Sequence, residues 1–217
     1  QAGAGNRDPH GCALAIRGYY ENVEGLGDTV EFYFDEKILP GYYWIFPTSP
    51  TTANIGCGTF QHIIEERQID LRKLMSDFFA THPIAKKKLQ HARLLGSLSG
   101  GKIPLAVEHE NSRVRDGFIM TGDSGSFTDP ITAEGISYAL NSGIMAGETA
   151  VESVQERNFS REFLGRYDQK WKNKFGRQFS KAPFLTQLLE KEVFGNYLMH
   201  SFNENPRALS AIGNLAT

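Results

Sequence analysis

The sequence predicts an α+β fold in which an antiparallel sheet comes first and helices dominate the second half. Three observations carry this. Residues 13–60 hold four β-rich segments cut by turn-formers, residues 118–150 read as strand, acidic turn, loop and long helix, and residues 160–193 place apolar side chains at helical spacing.

The four segments are Ala13 to Tyr20, Val30 to Phe34, Tyr42 to Phe46 and Ala53 to Phe60, separated by Glu24-Gly25, Leu39-Pro40-Gly41 and Ser49-Pro50. Their spacing predicts consecutive antiparallel neighbours. Alternation in Glu31-Phe32-Tyr33-Phe34 gives that strand an aromatic face, and a period of two puts Tyr42, Trp44 and Phe46 together. Such a sheet can wall an apolar ligand. Leu71, Leu74, Met75, Phe78 and Phe79 predict an amphipathic helix, with Asp70 as N-cap and Pro83 as stop. Lys86-Lys87-Lys88 predicts a solvated helix face, with contact to anionic lipid head groups or a diphosphate as the alternative. Leu94 to Ile103, containing Gly96, Gly100 and Gly101, predicts another strand and turn.

Phe118 to Met120 predicts a short buried strand that ends in the turn Gly122-Asp123. After a Gly/Ser/Pro-rich passage a long helix is expected to begin near Glu134 or Gly135. A helix start offers unpaired N–H groups and partial positive charge, so Thr132, Ala133, Glu134 and Gly135 can present backbone donors to an electron-rich group. An aspartate just past a strand's carboxyl end can accept hydrogen bonds from ligand hydroxyls. A sugar-linked ring cofactor suits both. Along the helix, Ile136, Ala139, Leu140, Gly143, Ile144, Ala146, Gly147 and Ala150 are expected to form the packed side. A further helix starts near Ser160, with Phe163, Tyr167, Trp171 and Phe175 four apart, and Pro183 is expected to open another through Leu185, Leu188, Leu189 and Val193.

Two motifs carry a family resemblance. The stretch GDSGSFTDPITAEGI resembles the second flavin-binding motif of the flavoprotein superfamily that contains aromatic hydroxylases and geranylgeranyl reductases. The resemblance implies FAD as cofactor, with Gly122 and Asp123 at its ribityl chain and Pro130, Ile131, Thr132, Ala133, Glu134 and Gly135 at the flavin edge. Ala133 stands where that family usually has glycine. The stretch Tyr42-Tyr43-Trp44-Ile45-Phe46-Pro47, then eight residues, then Gly56-Cys57-Gly58, resembles the YxWxFP-x8-GxG pattern of the geranylgeranyl reductases, spacing included. It implies that Tyr42, Trp44, Phe46, Pro47, Gly56 and Gly58 line an apolar pocket for an isoprenoid chain near the flavin. FLGRYDQKWKNKFG is similar to the helical C-terminal region of the same family.

On this resemblance the organisation expected is an antiparallel-sheet substrate domain over residues 1–110, the C-terminal part of a Rossmann-like FAD-binding domain over 111–155, and a helical region over 156–217. The function implied is FAD-dependent reduction of carbon–carbon double bonds in a prenyl chain, with a prenylated small molecule or lipid and an external electron donor as partners. Such flavoproteins clasp the ADP half of FAD with a strand-GxGxxG-helix fingerprint. Gly3-Ala4-Gly5 and Gly56-Cys57-Gly58 both lack the third glycine, so the chain is expected to be a C-terminal portion of a longer protein. Two rivals stand beside this reading. One is a flavin-dependent monooxygenase or halogenase on the same fold, although the halogenases' WxWxIP motif is absent; the other is a non-catalytic lipid-binding or interaction module.

Composition narrows the classes. The 217 residues are 40% hydrophobic, with 15 Phe, 8 Tyr and 2 Trp, and 23 basic residues against 25 acidic give a net charge of −2. No sustained basic face marks a nucleic-acid partner. Cys12 and Cys57 make no disulfide framework, which points to a reducing, cytoplasmic setting with room for peripheral membrane contact. His10, His62, His82, His91, His109 and His200 lack metal-ligand spacing, so no metal is expected and no catalytic residue is assigned. Cys57 reads as a small apolar filler.

Overall fold

The computed structural model describes residues 11–106 and 112–189. His10, His109, His200, Val193 and the Gly3-Ala4-Gly5 segment lie outside the described residues. The chain divides into two compact units, residues 13–102 and the segments on either side of them.

The first unit is built on a sheet of β1 (Cys12–Glu21), β2 (Glu31–Tyr33), β3 (Tyr42–Pro47), β4 (Ala53–Phe60) and β5 (Arg93–Pro104). Its order is β2-β3-β4-β1-β5. The three strands β2, β3 and β4 are antiparallel neighbours, as their turns predict. β1 departs from the consecutive order: it pairs antiparallel with β4, Ala13 opposite Phe60 through Tyr20 opposite Ala53. The physical reason is length, since the three-residue β2 cannot satisfy a ten-residue strand whereas the eight-residue β4 can. β5 is one continuous strand through Gly100 and Gly101, where a turn was expected.

Period two then sorts the side chains. Tyr43, Ile45, Ile55 and Cys57 face a core completed by Leu74, Met75, Phe78, Ala85 and Leu89. Tyr43 stacks on Phe78 at 4.1 Å between ring centroids. These helical residues come from α2 (Leu71–Thr81) and α3 (Pro83–Leu89), which follow the short α1 (Gln61–Arg67). Asp70 caps α2 as expected, accepting from the N–H groups of Arg72 and Lys73 at 2.8 and 3.2 Å. Pro83 ends α2 and also begins α3, because its fixed φ and missing N–H are harmless at a first helical position. His82 Nδ1 accepts from the Ala85 N–H at 3.3 Å. Lys88 is half-buried, and its Nζ donates to Gly25 O and Glu31 Oε1 at 2.7 and 2.6 Å. It therefore ties α3 to β2, while Lys86 and Lys87 remain exposed.

The second unit holds the hairpin β6 (Val114–Arg115) and β7 (Phe118–Ile119), a 3₁₀ turn at Gly122–Gly125, α4 (Ile136–Gln155) and α5 (Arg161–Leu189). α5 runs unbroken past Pro183, which was expected to open a separate helix. The buried stripe Leu164, Tyr167, Trp171, Phe175 and Phe179 packs this helix up to the proline, and tertiary packing overrides the local signal. On α4 the buried residues are Tyr138, Ser142, Met145, Thr149 and Ser153. Ile136, Leu140 and Ile144, expected on the packed side, are instead exposed, at 78, 65 and 63%. The hydroxyl-bearing stripe can face inward because its oxygens are bonded, Thr149 Oγ1 to Met145 O at 2.8 Å and Ser153 Oγ to Asn158 O at 2.6 Å.

Candidate functional site

The outer face of the sheet is a continuous aromatic surface. Tyr42, Trp44 and Phe46 point away from the core, and β2 adds Phe32 and, just beyond it, Phe34. The rings meet edge to face: Phe32 lies 5.3 Å from Tyr42 and 5.2 Å from Phe46, and Phe34 lies 6.0 Å from Tyr42. Such contacts are worth about 0.5–1.5 kcal/mol each beyond area burial. They fix the rings while leaving their outer faces open. The indole is pinned as well, since Trp44 Nε1 donates to Asn54 Oδ1 at 2.8 Å.

The motif's glycines explain its spacing. Gly56 sits opposite Trp44 and Gly58 opposite Tyr42. A Cβ on Gly56 would lie 2.3 Å from Trp44 Cζ2 and 2.4 Å from Ile16 O, closer than atoms can approach. Only glycine lets the indole lie across the neighbouring strand. Gly58 is similarly closed, with Ala15 Cβ at 2.8 Å and Leu14 O at 2.9 Å. Pro47 ends β3 opposite Ala53. Cys57, between the glycines, faces the core instead; burial pushes its thiol up to about 12, so it stays a neutral filler that donates weakly to Leu71 O.

The second locus lies where the 3₁₀ turn meets α4. Gly122 adopts φ of +52° and donates its N–H to Ser142 Oγ at 3.0 Å. Asp123 is exposed, and its Oδ1 accepts from Thr128 Oγ1 at 3.3 Å. A Cβ on Gly135 would fall 3.4 Å from that same Oδ1, so the carboxylate lies beside the start of α4. Ala133 has φ of +55°, the conformation that a glycine would take there without strain.

Two residues that the sequence reading did not single out shape this locus. Asp129 is buried, and its Oδ1 accepts from the N–H groups of Ile131 and Thr132 at 2.9 and 2.8 Å. Its other oxygen accepts from Tyr138 Oη and Gln178 Nε2, both at 3.2 Å. Arg113 is buried between the rings of Phe127 and Trp171, with its guanidinium carbon 4.6 and 4.0 Å from their centroids. It donates to the carbonyls of Gly125 and Ser126, and so holds the turn from behind. The only local sign of Asp129 was its place before Pro130; a lone arginine gives none.

This wiring changes which donors are available. Ile131 and Thr132 spend their N–H groups on Asp129, the Ala133 N–H donates to Asp129 O at 2.9 Å, and the Glu134 N–H to Thr132 Oγ1 at 3.2 Å. Glu134 in turn caps α4, accepting from Ser137 N–H and Oγ at 2.7 Å each. Among the described residues no hydrogen bond is made by the Gly135 N–H. Donors for a ligand are thus concentrated at Gly135 and Ile136, the last of the four residues expected to supply them and the one after it, and Pro130 is buried.

Residues 12–100 match the family described as the geranylgeranyl reductase catalytic domain. A digeranylgeranylglycerophospholipid reductase of Methanococcus vannielii is 34% identical over 159 residues, which is 70% of this chain and 37% of that protein. The reductase of the same name from Methanococcus aeolicus is 34% identical over 171 residues, 76% of this chain and 41% of its own. The chain thus spans about two fifths of the length of the curated relatives it matches. Among solved structures, a geranylgeranyl bacteriochlorophyll reductase-like protein from Thermoplasma acidophilum superposes with a TM-score of 0.77 at 23% identity, over 88% of this chain and 47% of that one. A flavin-dependent brominase superposes at 0.62 with 20% identity, over 95% and 50%. At these identities the likeness speaks for the fold alone.

Proposed function

Given that this chain belongs to the geranylgeranyl reductase family, we propose that it forms part of an FAD-dependent oxidoreductase that reduces carbon–carbon double bonds in the prenyl chain of a lipid. The observation that carries this is the aromatic face: Tyr42, Trp44 and Phe46 stand in register with the bare backbone of Gly56 and Gly58. The face offers an isoprenoid large, immobile, uncharged contact area at low entropic cost. The names of the matched relatives agree with a prenylated phospholipid as substrate class.

The second locus fits a flavin. Its exposed carboxylate at Asp123 can accept from ribityl hydroxyls, and the N–H groups at the start of α4 can donate to the electron-rich edge of the ring. A reduced flavin bound there would supply hydride. This chain's own residues bind and orient: Asp129 and Arg113 fix the loop, Asp123 and Gly135 meet the cofactor, and Trp44 with its neighbours holds the chain and excludes water. An external electron donor completes the partners, and contact with a membrane surface would bring the lipid. Among the described residues no helix is long and apolar enough to cross a membrane.

The cofactor assignment is tested by flavin retention. Asp123→Ala in the full-length protein should lower FAD affinity by about tenfold or more, the worth of a hydrogen bond to a charged group. Unchanged flavin content and affinity would remove Asp123 from the site.

A further inference from the structure

We propose that Arg17 selects an anionic group on the ligand held by the aromatic face, a phosphate ester at the polar end of an isoprenoid lipid. This rests on the reading of that face as the prenyl-binding wall. Arg17 lies opposite Gly56 in the β1–β4 pairing, and Trp44 lies opposite the same glycine in the β3–β4 pairing. With Phe32 opposite Trp44, the row Phe32, Trp44, Gly56, Arg17 crosses four strands, roughly 14 Å at the usual strand spacing. A Cβ on Gly56 would fall 2.8 Å from Arg17 Cβ as well as 2.3 Å from Trp44 Cζ2. The arginine stem and the indole therefore close over the same bare stretch of backbone.

The charge on that row is unanswered by any acid. Arg17 is half-buried, and its guanidinium carbon lies 4.9 Å over the Tyr19 ring. Among the described residues it makes no ion pair. Glu21, the carboxylate that shares its strand face by period two, is bonded to Arg93. A cation–π contact orients a guanidinium but leaves its N–H donors unspent. A planar fork of donors beside an apolar wall suits a phosphate, whose oxygens it can take two at a time. Apolar neighbours on one side keep water from screening the pair fully, which raises the worth of the match. The wall would then read the chain and Arg17 the head.

Calorimetric titration of the protein with geranylgeranyl monophosphate and with geranylgeraniol separates the two roles. Arg17→Gln should weaken the phosphate ester by about tenfold or more and leave the alcohol unchanged, and Arg17→Lys should recover part of the loss. Equal effects on both ligands, or none on either, would overturn the assignment. Inorganic phosphate binding as tightly as the prenyl phosphate would also overturn it, by showing that the anion is taken without the chain. Trp44→Ala is the control for the underlying reading and should weaken both ligands alike. If Trp44→Ala changes neither ligand the wall reading fails, whereas weakening by Trp44→Ala alongside an indifferent Arg17→Gln removes only the role of Arg17.

Discussion

At position 133 an alanine holds a left-handed backbone, φ +55°, in the loop that leads into α4. A side chain there costs about 1–2 kcal/mol relative to the right-handed region, and the fold bears it because Asp129 ties the flanking backbone on both sides. Ala133→Gly removes the Cβ conflict at some cost in unfolded-chain entropy, so a gain of about 0.5–1 kcal/mol is expected in urea denaturation. A loss of stability would show that the Cβ is making contacts worth more than the strain. The motif identified this position in the sequence, but not what holds it. Asp129 and Arg113 act through contacts that span up to 49 and 58 residues of sequence, and no local pattern encodes those.

The strands and the α2 cap were legible because each depends on neighbours in sequence: alternation gave the aromatic face, and Asp70 followed by an apolar period gave the helix start. What failed depended on distant partners. β1 chose β4 over β2 by length, α5 passed Pro183 on the strength of its buried stripe, and α4 turned its hydroxyls inward because their bonds were available. The pairing of β3 with β4 also places Gly56 directly under the indole of Trp44. Gly56→Ala places a Cβ against Ile16 O and the Trp44 ring, both too close to yield without movement. The variant should lose about 1–3 kcal/mol, the usual cost of overpacking, and shift the tryptophan emission as the indole is displaced. An unperturbed spectrum at wild-type stability would mean that the glycine is not there to seat the ring.

Across the whole molecule, burial holds several acids in their neutral forms. It raises Cys57 to about 12 from 9.0, and it raises Tyr20, Tyr43, Tyr138 and Tyr167 above their ordinary 10.0. Each folded-state value lies above the unfolded one, so the unfolded chain releases protons first and the folded state loses ground as pH rises. Stability should be level from about neutral pH to about pH 9 and fall steadily from there toward pH 12, as seen in urea midpoints taken across that range. A midpoint that stays constant to the alkaline limit would show these groups to be solvated. If the aromatic face holds the prenyl chain for reduction, this shows in the mass of a prenyl lipid recovered after incubation with the flavin-loaded, chemically reduced full-length protein. Wild-type protein should return a digeranylgeranylglyceryl phosphate heavier by two hydrogens per reduced bond, and Trp44→Ala with its flavin retained should return it far less changed. Unaltered lipid from the flavin-loaded wild type, or full reduction by Trp44→Ala, would contradict the assignment.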